Sequence, residues 1–490
     1  MPALLDLAGE RKIQGHGLSV ERAWQDEWSP PGPFPETGRG RGTPCRRGFC
    51  MSSIAHGLTP KMRPVSPKRS AVVAALDVGT SKVVCLIARL KPRAPQDVLP
   101  RRSHDIEVFG IGHAGARGMK AGMVVNLAEA EASIGQALDA AERAAGVQLE
   151  SVIVSVSAGR LSSDLFAASV NVAGSSITDG DIARVLHAGS RHSVRQGRAV
   201  LHSLPIGYAL DETRGIREPR GMLGQRFGVD MHVVTADVAA MRNMMLAIEH
   251  CHLGVEAMVA SPYMSGLAVL ADDEADLGAA VVEMGAGTTT LAVFDGGQLV
   301  HADGFALGGQ HVTMDLARGL ATRVSDAERI KTFYGSVLTG ASDDRDMITV
   351  PPVEDDDREP PQFVSRASLV RIIRPRVEEI LEMVRDRIAA SSFASSPRGC
   401  VVLTGGASQL TGLAELAARI LGRPVRIGRP LGISGLTEAA RGPAFAVAAG
   451  LLVYPQTAQF EHFEPRRTRQ VLTGTGGYIT RVGRWLRESF

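Results

Sequence analysis

The sequence predicts an α/β protein of two lobes, and three segments predict it. Ala71–Leu90 (AVVAALDVGTSKVVCLIARL) reads as an apolar strand, a carboxylate at Asp77, the turn Gly79-Thr80-Ser81-Lys82 and a second apolar strand. Ala279–Gly297 (AAVVEMGAGTTTLAVFDGG) repeats the plan with a buried strand Ala279–Val282, the carboxylate Glu283, the turn Gly285-Ala286-Gly287 and the hydroxyls of Thr288, Thr289 and Thr290. A strand Leu291–Phe294 and the turn Asp295-Gly296-Gly297 close it. Two such hairpins, roughly two hundred residues apart, indicate duplicated lobes gripping one ligand between them. Third, Gly399–Ser408 (GCVVLTGGAS) is a buried strand that ends in Thr404-Gly405-Gly406.

The residue types at these bends suit phosphate. Backbone N–H groups and hydroxyls are its donors, and glycine lets a backbone come close. A carboxylate in the place of Glu283 suits Mg²⁺ held through water. A Gly-turned hairpin also occurs with no ligand; it is the repetition that points to a nucleotide. After two phosphate hairpins, the Gly405-Gly406 turn reads as an adenosine loop at the mouth of an α/β sheet.

Composition narrows the classes. With 490 residues the chain holds two or more domains, and 44% hydrophobic and 22% charged residues are ordinary for a globular protein. A formal net charge of +2 and only 4% aromatics give no footprint for nucleic acid. The five cysteines, Cys45, Cys50, Cys85, Cys251 and Cys400, show no metal-ligand or CxxC spacing and fit a reducing cytosol. No apolar run reaches the ~18 residues of a membrane span, and no signal-peptide core is seen.

Taken in order, residues 1–70 carry no sustained period. Pro30, Pro31, Pro33, Pro35 and the run Gly38–Gly42 break any, so the segment is expected to be disordered, with translation starting at Met51 or Met62. The first lobe takes residues 71–158 and 236–277. In it Asn126, with Glu129 three residues on, starts a helix whose Ile134, Ala137, Leu138 and Ala141 share a face. Residues 159–235 alternate short strands with polar turns around one helix, and read as an inserted α/β module for contacts. His192, His202 and His232 lie there, in a scatter more typical of structural or exposed histidines than of a metal site.

The second lobe takes 278–324 and 397–455, with an outer polar module at 325–396. There Glu328 and Lys331 sit at i, i+3 on one helix. They read as a solvated ion pair or as a clamp on a ribose or base, and spacing alone favours the ion pair. Residues 456–474 read as a flexible linker and 475–490 as an amphipathic helix. Tyr478, Ile479, Val482, Trp485, Leu486 and Phe490 form its apolar stripe, and Arg481, Arg484 and Arg487 lie off it. At ~1.5 Å per residue this helix is about 20 Å long, too short to cross ~30 Å of hydrocarbon. It suits the interface of an anionic membrane, helped by Arg466, Arg467 and Arg469. Docking on the protein core is the other reading.

From Val72 to Phe490 the chain resembles FtsA, a family of bacterial cell-division proteins in the actin/Hsp70/sugar-kinase ATPase superfamily. LDVGTSKV, LHSLPIGYALDE, VVEMGAGTTTLAVF, SDAERIK, VLTGGASQLTGL, RIGRPLGISGL and WLRESF carry the resemblance, in that order. It implies a two-lobed actin-like ATPase fold of duplicated RNase H-like domains closing on ATP and Mg²⁺. Asp77, Gly79, Thr80 and Lys82 match the first phosphate loop, and Glu283, Gly285, Gly287, Thr288 and Thr289 match the second. Asp77 and Glu283 would hold the metal through water. Glu328 and Lys331 would face the adenosine, above Gly405 and Gly406.

The resemblance also makes residues 159–235 an SHS2-like subdomain for filament contacts and later division proteins. The module at 325–396 would receive the C-terminal peptide of FtsZ. The tail helix would tie FtsZ to the cytoplasmic face of the inner membrane at the septum, the protein being peripheral and self-polymerising. Glu283 stands where the family usually has aspartate, one methylene shorter. Metal and water placement tolerate little error, so an ATP-binding adaptor with at most weak ATPase activity is expected. A sugar-type kinase or phosphatase and a pilus-assembly scaffold are the alternatives.

Overall fold

Strands buried over most of their length, broken by Gly-rich turns, build two sheets of one design. A computed structural model describes residues 59–462, apart from 63, 95, 97–101, 159, 173, 175, 192–194, 354–360 and 396–398. The predicted tail helix, with Tyr478, Trp485, Phe490 and its arginines, lies outside the described residues.

The first lobe opens with β1 (Ala71–Val78), β2 (Lys82–Pro92) and β3 (His104–Gly115), an antiparallel meander. A two-residue pair, β4 (Met119–Lys120) and β5 (Met123–Val124), leads into the helix Leu127–Ala145. Asn126 Oδ1 caps that helix by accepting from Glu129 N at 3.3 Å, and Gly146 ends it in the left-handed region at φ 66°. β6 (Ser151–Val156) then lies parallel to β1.

The inserted module is an antiparallel sheet of β7 (Ser162–Asn171), β8 (Arg198–Leu210), β9 (Thr213–Ile216) and β10 (Arg226–Asp237), ordered 7-10-8-9. The helix Asp179–Ser190 covers it, and Val185, Phe227 and Met231 form part of a core of its own. Beyond the helix Val238–His250, β11 (Gly254–Ala260) rejoins the first sheet parallel to β6.

The second lobe repeats the first. β12 (Ala279–Met284), β13 (Thr289–Asp295) and β14 (Gln298–Phe305) form the meander. A hairpin of β15 (Met347–Val350) and β16 (Gln362–Ser365) belongs to the outer module, beside the helix Arg366–Ala390, which runs through Pro375. β17 (Cys400–Thr404) and β18 (Val425–Ile427) then add in parallel beside β12. In both sheets the carboxylate-bearing strand thus sits between an antiparallel pair and two parallel strands.

Three boundaries differ from the sequence reading. The second lobe does not run to residue 455. β19 (Ile433–Ser434) pairs with β3 of the first sheet, and the helix Ala446–Thr457 packs on the helix Ser261–Val269 and on β1. All twelve residues of that helix are buried, so it needs apolar neighbours all round, and the gap beside the first sheet supplies them. Gly450 permits the crossing, since a Cβ there would lie 1.9 Å from the Met264 carbonyl.

The linker expected from 456 is not free at its start. Gln456 Oε1 accepts from His104 N at 2.9 Å, and His462 N donates to the Ser203 carbonyl at 2.9 Å. The disordered extension expected to residue 70 is likewise ordered at its end. Thr59 Oγ1 donates to Val200 O at 2.9 Å, and Val65 N donates to Pro455 O at 3.2 Å. Polar groups that find single partners on a strand or at a helix end need no sequence period of their own.

Both ends meet at a buried polar contact. His202 Nε2 accepts the Ala260 N–H at 2.8 Å, so the ring proton is on Nδ1, which donates to Glu461 Oε1 at 2.8 Å. Tyr263 and Tyr454 stand edge-on to that ring, at 5.0 and 6.0 Å. Burial lowers the Lys61 ammonium to about 8 despite the opposing pull of Glu461. His202→Ala would strand both the Ala260 N–H and the Glu461 carboxylate, whose side chain is only 1% exposed. The expected cost is about 2–4 kcal/mol in urea denaturation, and a midpoint unmoved at constant slope would contradict the structural role.

Candidate functional site

The two Gly–Thr bends have the same local bond. Gly79 N donates to Lys82 O at 2.9 Å in the first, and Gly285 N donates to Thr288 O at 2.9 Å in the second. They also touch, since a Cβ on Gly287 would fall 2.5 Å from Thr80 Oγ1. Between the lobes lies a cleft of about 510 Å³, and both Thr80 and Thr288 line it.

Each bend is pinned from behind. Thr80 Oγ1 accepts from Gly122 N at 3.0 Å. The second bend carries the start of the helix Gly309–Gly319, through Gly309 N to Gly285 O at 2.9 Å and Gln310 N to Ala286 O at 2.8 Å. The Gly405 turn meets the same strand end. It has φ +87°, and a Cβ there would lie 2.4 Å from the Met284 carbonyl.

Two carboxylates face one lysine in this cleft. Asp77 Oδ1 accepts from Ser155 Oγ at 2.6 Å, and Glu283 Oε2 accepts from Thr290 Oγ1 at 3.0 Å. Burial raises the Asp77 carboxyl above its ordinary value, against the Ser155 bond and Lys82. Burial, and next the Asp77 charge, push Glu283 up to about 7. Burial lowers the Lys82 ammonium, with Asp77 and Glu283 opposing. Lys82 Nζ donates to the Ala444 carbonyl and lies 3.9 Å from the centre of the Phe445 ring.

Farther along the wall, Lys331 Nζ donates to Glu328 Oε2 at 2.6 Å, to Thr313 Oγ1 at 2.8 Å and to Gly309 O at 3.1 Å. Thr313 Oγ1 also donates to Glu328. The ion pair read from the spacing is therefore formed, and both partners line the cleft.

Of the sequence-derived candidates, Asp77, Gly79, Thr80, Lys82, Glu283, Gly285, Thr288, Glu328, Lys331, Gly405 and Gly406 all line this one cleft. Two do not. Gly287 is spent on the contact with Thr80, and the buried Thr289 hydroxyl donates to Leu307 O at 2.8 Å. Alternation along β13 turns Thr289 away from the mouth. The sequence reading missed Ser157, Ser261, Gly309, Gln409 and Ala444. Ser157 and Ser261 follow directly on apolar strand runs, which was the available signal.

The donor set suits a metal–polyphosphate. The half-buried Asp77 and the buried Glu283, both with raised pKa values, lack enough positive charge to neutralise them, and the glycines leave no room for a Cβ near the bends. A hydrated divalent cation, held in turn by phosphate oxygens, would place positive charge beside them. His192 lies outside the described residues. His232 is buried and held down to about 3, chiefly by burial, and His202 is engaged with Glu461. Among the described residues no three His, Cys, Asp or Glu side chains group to hold a metal ion.

Duplicated sheets of one strand order, closing on a shared cleft through paired bends, define an actin-like fold. A chain of a solved PilM–PilN type IV pilus biogenesis complex shares it, with a TM-score of 0.54 at 18% identity over 78% of this chain and 98% of that one.

Sequence comparison gives the family. The family model for cell division protein FtsA matches residues 280–450, and that for the SHS2 domain inserted in FtsA matches 158–235. Cell division protein FtsA of Agrobacterium fabrum is 53% identical over 437 residues, 89% of this chain and 99% of the relative. That of Escherichia coli K12 is 33% identical over 426 residues, 86% and 98%. The chain belongs to the FtsA family of cell division proteins.

The raised carboxyl makes a pH prediction. Glu283 keeps a proton in the folded state that the unfolded chain has already released. Its stabilisation is complete below its ordinary pKa and is lost as pH rises through about 7. Without nucleotide or divalent metal, the melting temperature of the native protein should fall more steeply than that of Glu283→Gln between about pH 5 and about pH 8. Parallel curves would refute the assignment.

Proposed function

We propose that the chain binds ATP with Mg²⁺ in this cleft, assembles into actin-like filaments and ties FtsZ to the membrane. The observation that carries the reading is the contact between the Gly285-Ala286-Gly287 bend and Thr80 across one cleft lined by the half-buried Asp77 and the buried Glu283. Backbone amides of the two bends would bind phosphate oxygens, and Asp77 and Glu283 would hold Mg²⁺ through water. Lys82 would balance charge, while Glu328, Lys331 and the Gly405-Gly406 turn would flank the adenosine. The bound ion would neutralise the phosphates and link the lobes.

ATP acts in this reading as a conformational ligand, favouring one lobe arrangement by its differential affinity. The outer module around residues 325–396 receives the FtsZ C-terminal peptide. The inserted module serves filament contacts and later division proteins. Among the described residues no helix is long and apolar enough to cross a membrane. The stripe Tyr478, Ile479, Val482, Trp485, Leu486 and Phe490, with Arg481, Arg484 and Arg487, is the proposed peripheral anchor on the inner membrane at the septum.

The test is recruitment of FtsZ to anionic liposomes by the full chain and by a chain lacking residues 478–490, each with and without Mg–ATP. Recruitment should require the tail. Removing six large apolar residues and three arginines should lower the sedimented fraction at least about tenfold. Undiminished co-sedimentation of the shortened chain would overturn the anchor. A melting temperature indifferent to Mg–ATP at ~100 times any plausible Kd would overturn the nucleotide cleft, since such occupancy adds ~2.7 kcal/mol.

A further inference from the structure

One hydroxyl on the cleft wall is buried without serving the fold. Ser261 follows β11 and opens the nine-residue helix Ser261–Val269; it is 1% exposed. Its Oγ has no hydrogen-bond partner among the described residues. Several other buried side-chain atoms share that condition, but none belongs to a residue lining the cleft, as Ser261 does. An unsatisfied buried hydroxyl is destabilising, so its presence calls for a partner that arrives with a ligand.

The topology says which part of a ligand. β1, β6 and β11 are adjacent and parallel, with Leu76 opposite Val154, Val154 opposite Met258 and Val156 opposite Ala260. Asp77, Ser157 and Ser261 therefore stand at the carboxyl ends of neighbouring strands, where open α/β sheets bind ligands. Two strand spacings, about 10 Å, separate β1 from β11. A ligand whose metal sits by Asp77 reaches Ser261 only through an extended chain of phosphates. Ser261 is also the first residue of its helix, and that end of the helix dipole favours a negative group.

We propose that Ser261 Oγ donates a hydrogen bond to the terminal phosphate of a bound nucleoside triphosphate, so that the cleft distinguishes triphosphate from diphosphate. The inference rests on the cleft being the ATP site. It assigns the discrimination to a residue on the first lobe outside both Gly–Thr bends.

The test is calorimetric titration of the full chain and of Ser261→Ala with Mg–ADP and with the Mg complex of a non-hydrolysable ATP analogue. Ser261→Ala should bind the triphosphate analogue roughly 5–20-fold more weakly and ADP within about twofold. Its ligand-free melting temperature should stay level or rise by about 1–3 °C, because an unsatisfied hydroxyl has gone. Ser261→Cys, close in size and a weak donor, should show the same selective loss and serves if the alanine variant does not fold. Equal losses for both nucleotides, or no loss, overturn the inference while the ATP cleft stands. A native protein that binds neither nucleotide overturns the cleft reading and the inference together.

Discussion

The close approach of the Gly285-Ala286-Gly287 bend to Thr80 is the constraint on which the rest depends. A side chain at Gly287 would collide with Thr80, and one at Gly405 would collide with the Met284 carbonyl. Both glycines therefore hold distances between backbones, not merely turns. These distances let Asp77 and Glu283, each on the central carboxylate-bearing strand of its sheet, face one cleft. Separate the bends by one side chain and the carboxylates no longer line one closed cleft.

That arrangement is electrostatically unfavourable by itself. Burial raises both carboxyls, the Asp77 charge raises Glu283 further, and one lysine, itself lowered by burial, does not compensate. Removing charge from water costs several kcal/mol per ion when pairing is incomplete. The hydroxyls of Ser155 and Thr290 return part of the lost hydration. The cleft therefore carries a cost that a cation beside the two carboxyls would relieve.

How much of this was legible depended on the kind of signal. The two bends could be read because glycine, carboxylate and threonine stood in a fixed order after apolar runs, and that order was repeated. Gly287 and Thr289 were read as ligand contacts because sequence does not say whether a glycine makes room for a ligand or for Thr80. The return of the helix Ala446–Thr457 to the first lobe could not be read. Its residues are apolar on every side, so no stripe told which lobe it faces. β19, only two residues long, gave no periodicity. Residues 59–70 are held by the Thr59 hydroxyl on the Val200 carbonyl and the Val65 N–H on the Pro455 carbonyl, single hydrogen bonds that leave no period in the sequence.

The inserted module has more at stake than its separate core suggests. On one side its β8 carbonyls hold the entering segment at Val200 and the departing segment at Ser203. On the other, Ser163 Oγ of β7 accepts from Ala302 N of β14, in the second lobe, at 3.0 Å. Arg217 beside Gly296 adds a second point of contact with that lobe. A change in the angle between lobes must therefore either break the Ser163 contact or carry the module along. Because the chain beyond His462 leaves from β8, whatever moves the module also moves the root of the C-terminal segment. The cleft between the lobes and the last described residues of the chain are thus joined through hydrogen-bonded strands.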